Sequence, residues 1–185
     1  MNKAIFFDRD GVLIEAPTNN GKPKSIKNET DIKFIADVEL IQKLKKLGYY
    51  LIVVTNQPDI SRKLISNEFV SSINNKIKKK YSLDKIYVCP HSDLDQCLCR
   101  KPKNGLILEA KRDYNLELSS CFMIGDRWRD IDAAEISGCK SIFIDYNYNE
   151  QKPNNAGNTV KCIKSALKKI LEIYSDLPKA LLSDY

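Results

Sequence analysis

Five short apolar runs, each halted by a polar residue and separated by helix-patterned stretches, constrain this chain more than any other feature. The runs are KAIFF (3–7), YLIVV (50–54), KIYVC (85–89), CFMIG (121–125) and KSIFID (140–145). Each has the length of a strand buried on both faces, and none is long enough for a helix. Between them, apolar residues recur at helical spacing over 38–47, 66–81, 105–114 and 130–137, and again over 160–174. Gly48 and Gly138 follow two of these stretches as C-terminal stops, and Ser66 precedes another as an N-cap. Strands alternating with helices predict βαβ units and a mainly parallel sheet, hence the α/β class.

Composition narrows the setting. At 185 residues, 43% hydrophobic and 29% charged, the chain suits one globular domain and is not wholesale disordered. We take residues 1–175 as that domain and 176–185 as a loosely held tail. No apolar run reaches about 18 residues, so no transmembrane helix is expected. The N-terminus lacks the apolar core of a secretion signal, and a cytoplasmic monomer with no membrane partner is expected. Six cysteines in such a setting point to metal or burial rather than disulfides. The net charge of +6 comes from a lysine surplus. It includes the run Lys76–Lys80 (KIKKK), which is read as a solvated helix face; no aromatic residue interleaves it, as single-strand binders require, so no nucleic-acid partner is expected.

Two segments break the alternation. Residues 16–31 are polar and turn-rich. Residues 89–104 have no period, yet hold three cysteines and the only histidine. Loops of this length in a compact domain are usually functional.

The polar residues at the run ends carry the chemistry, because ligands of open α/β sheets bind beyond the C-terminal strand ends. Asp8 and Asp10 flank Arg9 in a turn that Gly11 permits. One can serve as nucleophile or metal ligand and the other as acid or base. Thr55 and Asn56 follow the second run with a hydroxyl and an amide for an oxyanion. Lys101, ahead of Pro102, offers a fixed positive charge. Asp126, after the run CFMIG, is placed to ligate a divalent cation. Cys89, His91, Cys97 and Cys99 lie within eleven residues and make a Cys₃His set, the closed tetrahedral complement of a structural zinc. That zinc would pin the loop which leads into Arg100 and Lys101. Cys121, Cys139 and Cys162 fall in apolar patterns and are read as small core residues.

The order of these elements, DRDG, then a strand ending in Thr, then Lys, then GDxxxD, resembles the haloacid dehalogenase-like (HAD) phosphohydrolases. The resemblance implies a Rossmann-like core and Mg²⁺-dependent phosphoryl transfer through an aspartyl-phosphate. It makes Asp8 the nucleophile and Asp10 the general acid, then base. Thr55 and Lys101 would hold the phosphoryl group. Asp8, the backbone carbonyl of Asp10, and Asp126 would hold Mg²⁺, with Asp130 supporting. The zinc loop, DRDGV and TNQ together are similar to the subgroup holding D-glycero-D-manno-heptose 1,7-bisphosphate phosphatase and histidinol-phosphate phosphatase, which has no large cap domain. The substrate implied is a small phosphorylated metabolite. Asn56, Arg62 and Arg100 are the expected contacts to it or to a second phosphate. The five residues between His91 and Cys97 match the histidinol branch, whereas GDRWRDI resembles sugar-phosphate enzymes of surface-polysaccharide pathways. A heptose 1,7-bisphosphate or related sugar phosphate is the favoured substrate. The alternatives are histidinol phosphate and, further off, 3′-phosphates on DNA ends.

Overall fold

The computed structural model describes residues 1–155 and 157–175; the expected tail, 176–185, lies outside them. Six parallel strands form one sheet. In chain order they are β1 (Lys3–Phe7), β4 (Tyr49–Asn56), β5 (Lys85–Cys89), β6 (Phe122–Gly125), β7 (Lys140–Ile144) and β8 (Thr159–Val160). Their spatial order is β5-β4-β1-β6-β7-β8. Strands β2 (Thr18–Asn19) and β3 (Lys22–Pro23) form a separate antiparallel hairpin. The helices are α1 (Val38–Lys46), α2 (Asn67–Tyr81), α3 (Gly105–Tyr114), α4 (Trp128–Ser137) and α5 (Ile163–Ser175).

Strand β1 is central and, after Lys3 at its start, wholly apolar because it is covered on both faces. Its alternate residues face two cores. Ile5 and Phe7 join Ile41 and Leu44 of α1, Ile73 and Ile77 of α2, and Ala166 and Ile170 of α5. Ala4 and Phe6 join Leu106 and Ala110 of α3 and Ala133 and Ala134 of α4. The result is a three-layer α/β/α arrangement. Local signals start the helices where expected: Asp37 accepts a hydrogen bond from Leu40 N at 3.2 Å to cap α1, and Ser66 accepts one from Phe69 N at 3.1 Å to cap α2.

Several boundaries differ from the sequence reading. Strand β4 runs on through Thr55 and Asn56, because these pair with Val88 and Cys89 of β5. Residues Thr159 and Val160 form a short edge strand beside Phe143 and Ile144, so the last helix starts at Ile163 and not at 160. Cys162 is correspondingly exposed, with its thiol 3.3 Å from Ser165 Oγ, and is no core residue. Cys121 and Cys139 are buried as expected, and burial pushes their thiols up to about 11 and about 12. The polar segment 16–31 contains the β2–β3 hairpin and nothing larger, so no cap domain stands between β1 and α1.

The chain runs outward from β1 through β4 to β5, then returns to the other side of β1 with β6. That reversal opens a crevice at the C-terminal ends of β1, β4 and β6.

Candidate active site

Asp8 follows β1, Thr55 lies at the end of β4 and Asp126 follows β6. Carboxylate oxygens of Asp8, Asp126 and Asp130 all come within 4.8 Å of one another, and all three residues are buried. The approach is close enough to exclude side chains nearby. A Cβ on Gly11, which sits at φ +84°, would fall 1.9 Å from Asp126 Oδ2, and one on Gly125 would fall 2.1 Å from Asp130 Cβ.

Lys101 is delivered to this cluster by the loop after β5. Its ammonium contacts Asp8 Oδ1 at 2.9 Å and Asp130 Oδ1 at 2.5 Å, and donates to the Val54 carbonyl at 2.7 Å. Burial pulls Lys101 down, but the charges of Asp130 and Asp8 outweigh it and hold the group above its ordinary value. Asp130 accepts from Arg127 N with its second oxygen at 3.0 Å and so also caps α4. Burial, opposed by Lys101, leaves Asp130 raised to about 6.

Asp126 has no such help. Both its oxygens are buried without a hydrogen-bond partner. The Tyr148 phenol beside it and the charge of Arg127 draw the carboxyl down, but only weakly. Burial first, then the charges of Asp8 and Asp130, push Asp126 well above the usual carboxylate range. Three buried carboxyl groups share one buried ammonium, an excess of acidic oxygens that is the complement of a divalent cation with oxygen ligands.

Asp10 sits at the edge of the cluster, and its carboxylate is gripped from two sides. Arg9, buried to 1% exposure, donates to Oδ2 from Nε at 3.1 Å and to Oδ1 from Nη2 at 3.2 Å. Gln57 Nε2 donates to Oδ2 at 2.8 Å and to Thr55 Oγ1 at 2.9 Å. Neither Arg9 nor Gln57 was singled out from sequence. Asn56, expected at the substrate, lines the cavity but commits its amide to Lys101: Oδ1 accepts from Lys101 N and Nδ2 donates to Lys101 O, both at 3.0 Å.

A cavity of about 830 Å³ opens from Asp8, Asp10 and Lys101 toward the β2–β3 hairpin and the loop after β5. Arg62, Arg100, Arg127 and Arg129 line it. Arg62 pairs with Asp59 at 3.1 Å. Asp93 binds Arg100 at 2.9 Å and Arg129 at 3.3 Å, and Arg100 is its main reason for titrating below the usual carboxylate range. Arg127 pairs with Glu150.

The cysteine loop closes on itself beside this cavity. Cys99 Sγ lies 3.2 Å from Cys89 Sγ, 3.4 Å from Cys97 Sγ and 3.3 Å from His91 Nδ1. Cys89 Sγ lies 3.7 Å from both Cys97 Sγ and His91 Nδ1. Four ligands about 2.3 Å from a tetrahedral centre lie roughly 3.8 Å apart, so the spacing fits a metal of that kind. Burial, then the contact with Cys99, raises the Cys89 thiol, an arrangement that a bound cation would reverse.

Residues 3–146 match the family of polynucleotide kinase 3 phosphatases. The chain belongs to this family. Among its relatives, the D-glycero-beta-D-manno-heptose-1,7-bisphosphate 7-phosphatase of Pasteurella multocida is 32% identical, with 98% of this chain and 97% of the relative covered. The enzyme of the same name from Haemophilus influenzae is 36% identical over 72% of this chain and 76% of its own. The fold matches that of D,D-heptose 1,7-bisphosphate phosphatase from B. bronchiseptica, solved with magnesium and phosphate, at a TM-score of 0.76 and 22% identity, covering 94% of this chain and 99% of that one. The chain is therefore a phosphatase of the family, with the HAD-like core that its motif order implied.

Proposed function

We propose that this phosphatase hydrolyses a small phosphorylated sugar with Mg²⁺, that D-glycero-β-D-manno-heptose 1,7-bisphosphate is its substrate, and that residues 1–175 act as one domain. The observation that carries the reading is the orphaned Asp126 carboxylate beside Asp8 and Lys101. A buried, unpartnered carboxylate is costly unless a cation completes it. Asp8, Asp126 and the backbone carbonyl of Asp10 would hold Mg²⁺, whose charge neutralises the oxygens of a phosphoryl group.

In this reading Asp8 attacks phosphorus and forms an acyl phosphate, while the P–O bond to the sugar breaks. Asp10 gives its proton to the departing alkoxide. Water then attacks the acyl phosphate, Asp10 takes its proton, and inorganic phosphate and free Asp8 result. Lys101 holds Asp8 in place and, with Thr55, receives the equatorial oxygens. Asp130 keeps Lys101 aligned and caps α4. Arg100 and Arg129, gathered by Asp93 at the cavity wall, together with Arg62, would take the phosphate that does not react. Cys89, His91, Cys97 and Cys99 would hold a structural zinc.

The family's description favours one other reading, a 3′-phosphate on a nucleic-acid end. The KIKKK run does not line the cavity, and Lys76 pairs with Glu29 at 2.5 Å, which argues for the small substrate. The test is a turnover screen with Mg²⁺ over heptose 1,7-bisphosphate anomers, histidinol phosphate and a 3′-phosphorylated oligonucleotide, with Asp8→Asn as control. Preferred turnover of a heptose bisphosphate, abolished in Asp8→Asn, is expected. Preferred turnover of the oligonucleotide, or full activity in Asp8→Asn, would overturn the proposal.

A further inference from the structure

We propose that Gln57 is a positioning residue that holds the Asp10 carboxylate for proton transfer; this rests on the phosphoryl-transfer reading above. Gln57 is fully buried, immediately after β4. Its backbone N–H donates to the Cys89 carbonyl at 2.7 Å, so its own position is fixed by the end of β5. From there one amide nitrogen serves two acceptors, Asp10 Oδ2 at 2.8 Å and Thr55 Oγ1 at 2.9 Å.

The other end of the amide shows what sets this orientation. Gln57 Oε1 is buried with no partner. Side-chain amides turn to satisfy both ends when they can. Here the reversed amide would set its oxygen against an Asp10 carboxylate oxygen, acceptor against acceptor. The contact to Asp10 therefore decides the orientation, at the expense of an unsatisfied oxygen. Such a sacrifice is characteristic of functional sites rather than of packing.

Two consequences follow for the chemistry. Thr55 accepts from Gln57, so its single hydroxyl proton remains for a phosphoryl oxygen. Asp10 is fixed on a second side by Arg9, whose Nη1 also donates to Asn74 of α2 at 3.2 Å. The carboxylate that must meet both the leaving oxygen and the attacking water is thus bracketed by two buried groups that do not line the cavity.

The test uses Gln57→Leu, which keeps the volume and removes both N–H donors, and Gln57→Glu, which presents an acceptor instead. Kinetics are measured with Mg²⁺ on heptose 1,7-bisphosphate and on p-nitrophenyl phosphate. We expect kcat to fall at least tenfold in both variants, with KM changed less than threefold. In an Asp10→Asn background, Gln57→Leu should cost less than threefold further, because its route runs through Asp10. A merely structural role would lower kcat by the same factor in both backgrounds. A crystal structure of Gln57→Leu should show the Asp10 carboxylate displaced toward Arg9. Native kcat in Gln57→Leu, a fully multiplicative loss with Asp10→Asn, or an unmoved Asp10 carboxylate would each overturn the inference. If Asp10→Asn itself keeps native turnover, the phosphoryl-transfer reading fails and this inference falls with it. If Asp10→Asn is inactive while Gln57→Leu is native, only this inference fails.

Discussion

Lys101 shows how much of the site depends on single side chains. It is 2% exposed, and its three contacts are two carboxylates and a strand carbonyl. Lys101→Met keeps most of the stem and deletes the charge. Asp8 and Asp130 would then face each other, buried and uncompensated. Removing one partner of a buried ion cluster costs about 3–5 kcal/mol, so denaturant unfolding at neutral pH should show a loss of that order, with turnover lower by at least a hundredfold. Asn56 acts one step back. Its amide makes two hydrogen bonds to the Lys101 backbone. Asn56→Ala should cost about 1–2 kcal/mol and lower kcat while leaving the fold intact. Rescue by Asn56→Asp should be incomplete, since a carboxylate can accept from Lys101 N but cannot donate to its carbonyl. An unchanged kcat in Asn56→Ala would show that the loop places Lys101 without this brace. The sequence exposed Lys101 because it stands in a fixed order of motifs. It did not expose Arg9 or Gln57, because their value lies in partners such as Asn74, sixty-five positions from Arg9, and no local spacing encodes that contact.

At the scale of elements, the strand ends were readable because a buried parallel strand is an apolar run with an abrupt polar stop. The Asp8 and Asp126 positions follow from that alone. Elements of two residues were not readable. Neither β8 nor the β2–β3 hairpin is long enough to show a period, and both exist through pairing with chain that is distant or folded back. The Cys₃His loop lies between these cases. Its one regular element is a single 3-10 turn, Asp93–Asp95, yet its ligand spacing was plain, since three thiols and an imidazole have few other reasons to converge. Its order should depend on metal. Purified protein should carry about one zinc per chain. Cys97→Ser, or a strong chelator, should expose residues 92–99 to limited proteolysis and lower kcat through Lys101. Far-UV circular dichroism should stay close to native, because the loop meets the sheet only at the end of β5 and the second core only through Cys89, Cys97 and Cys99. A metal-free loop equally resistant to protease would remove the structural role.

At the scale of the molecule, function and stability pull in opposite directions at Asp126. Two cores on the faces of one sheet hold the strand ends rigidly enough to keep this carboxylate buried with neither oxygen hydrogen-bonded. A fold optimised for metal-free stability would place an amide or an apolar group there. Asp126→Asn should accordingly stabilise the metal-free protein by about 2 kcal/mol, because it deletes a buried charge without changing shape. For a domain of this size that is a rise in Tm of roughly 4–8 °C. Mg²⁺ should act in the reverse sense on the two chains. It should raise the Tm of the native protein with concentration, as a ligand bound only by the folded state does, and leave Asp126→Asn nearly unmoved. Thermal unfolding of both proteins across a Mg²⁺ series, with turnover measured in parallel, reads all of these quantities together. The expected pattern is a variant that is more stable without metal, indifferent to Mg²⁺ and inactive. An Asp126→Asn protein that is less stable than native without metal would show that the carboxylate is satisfied within the fold, and that the excess negative charge is not what prepares this site for a cation.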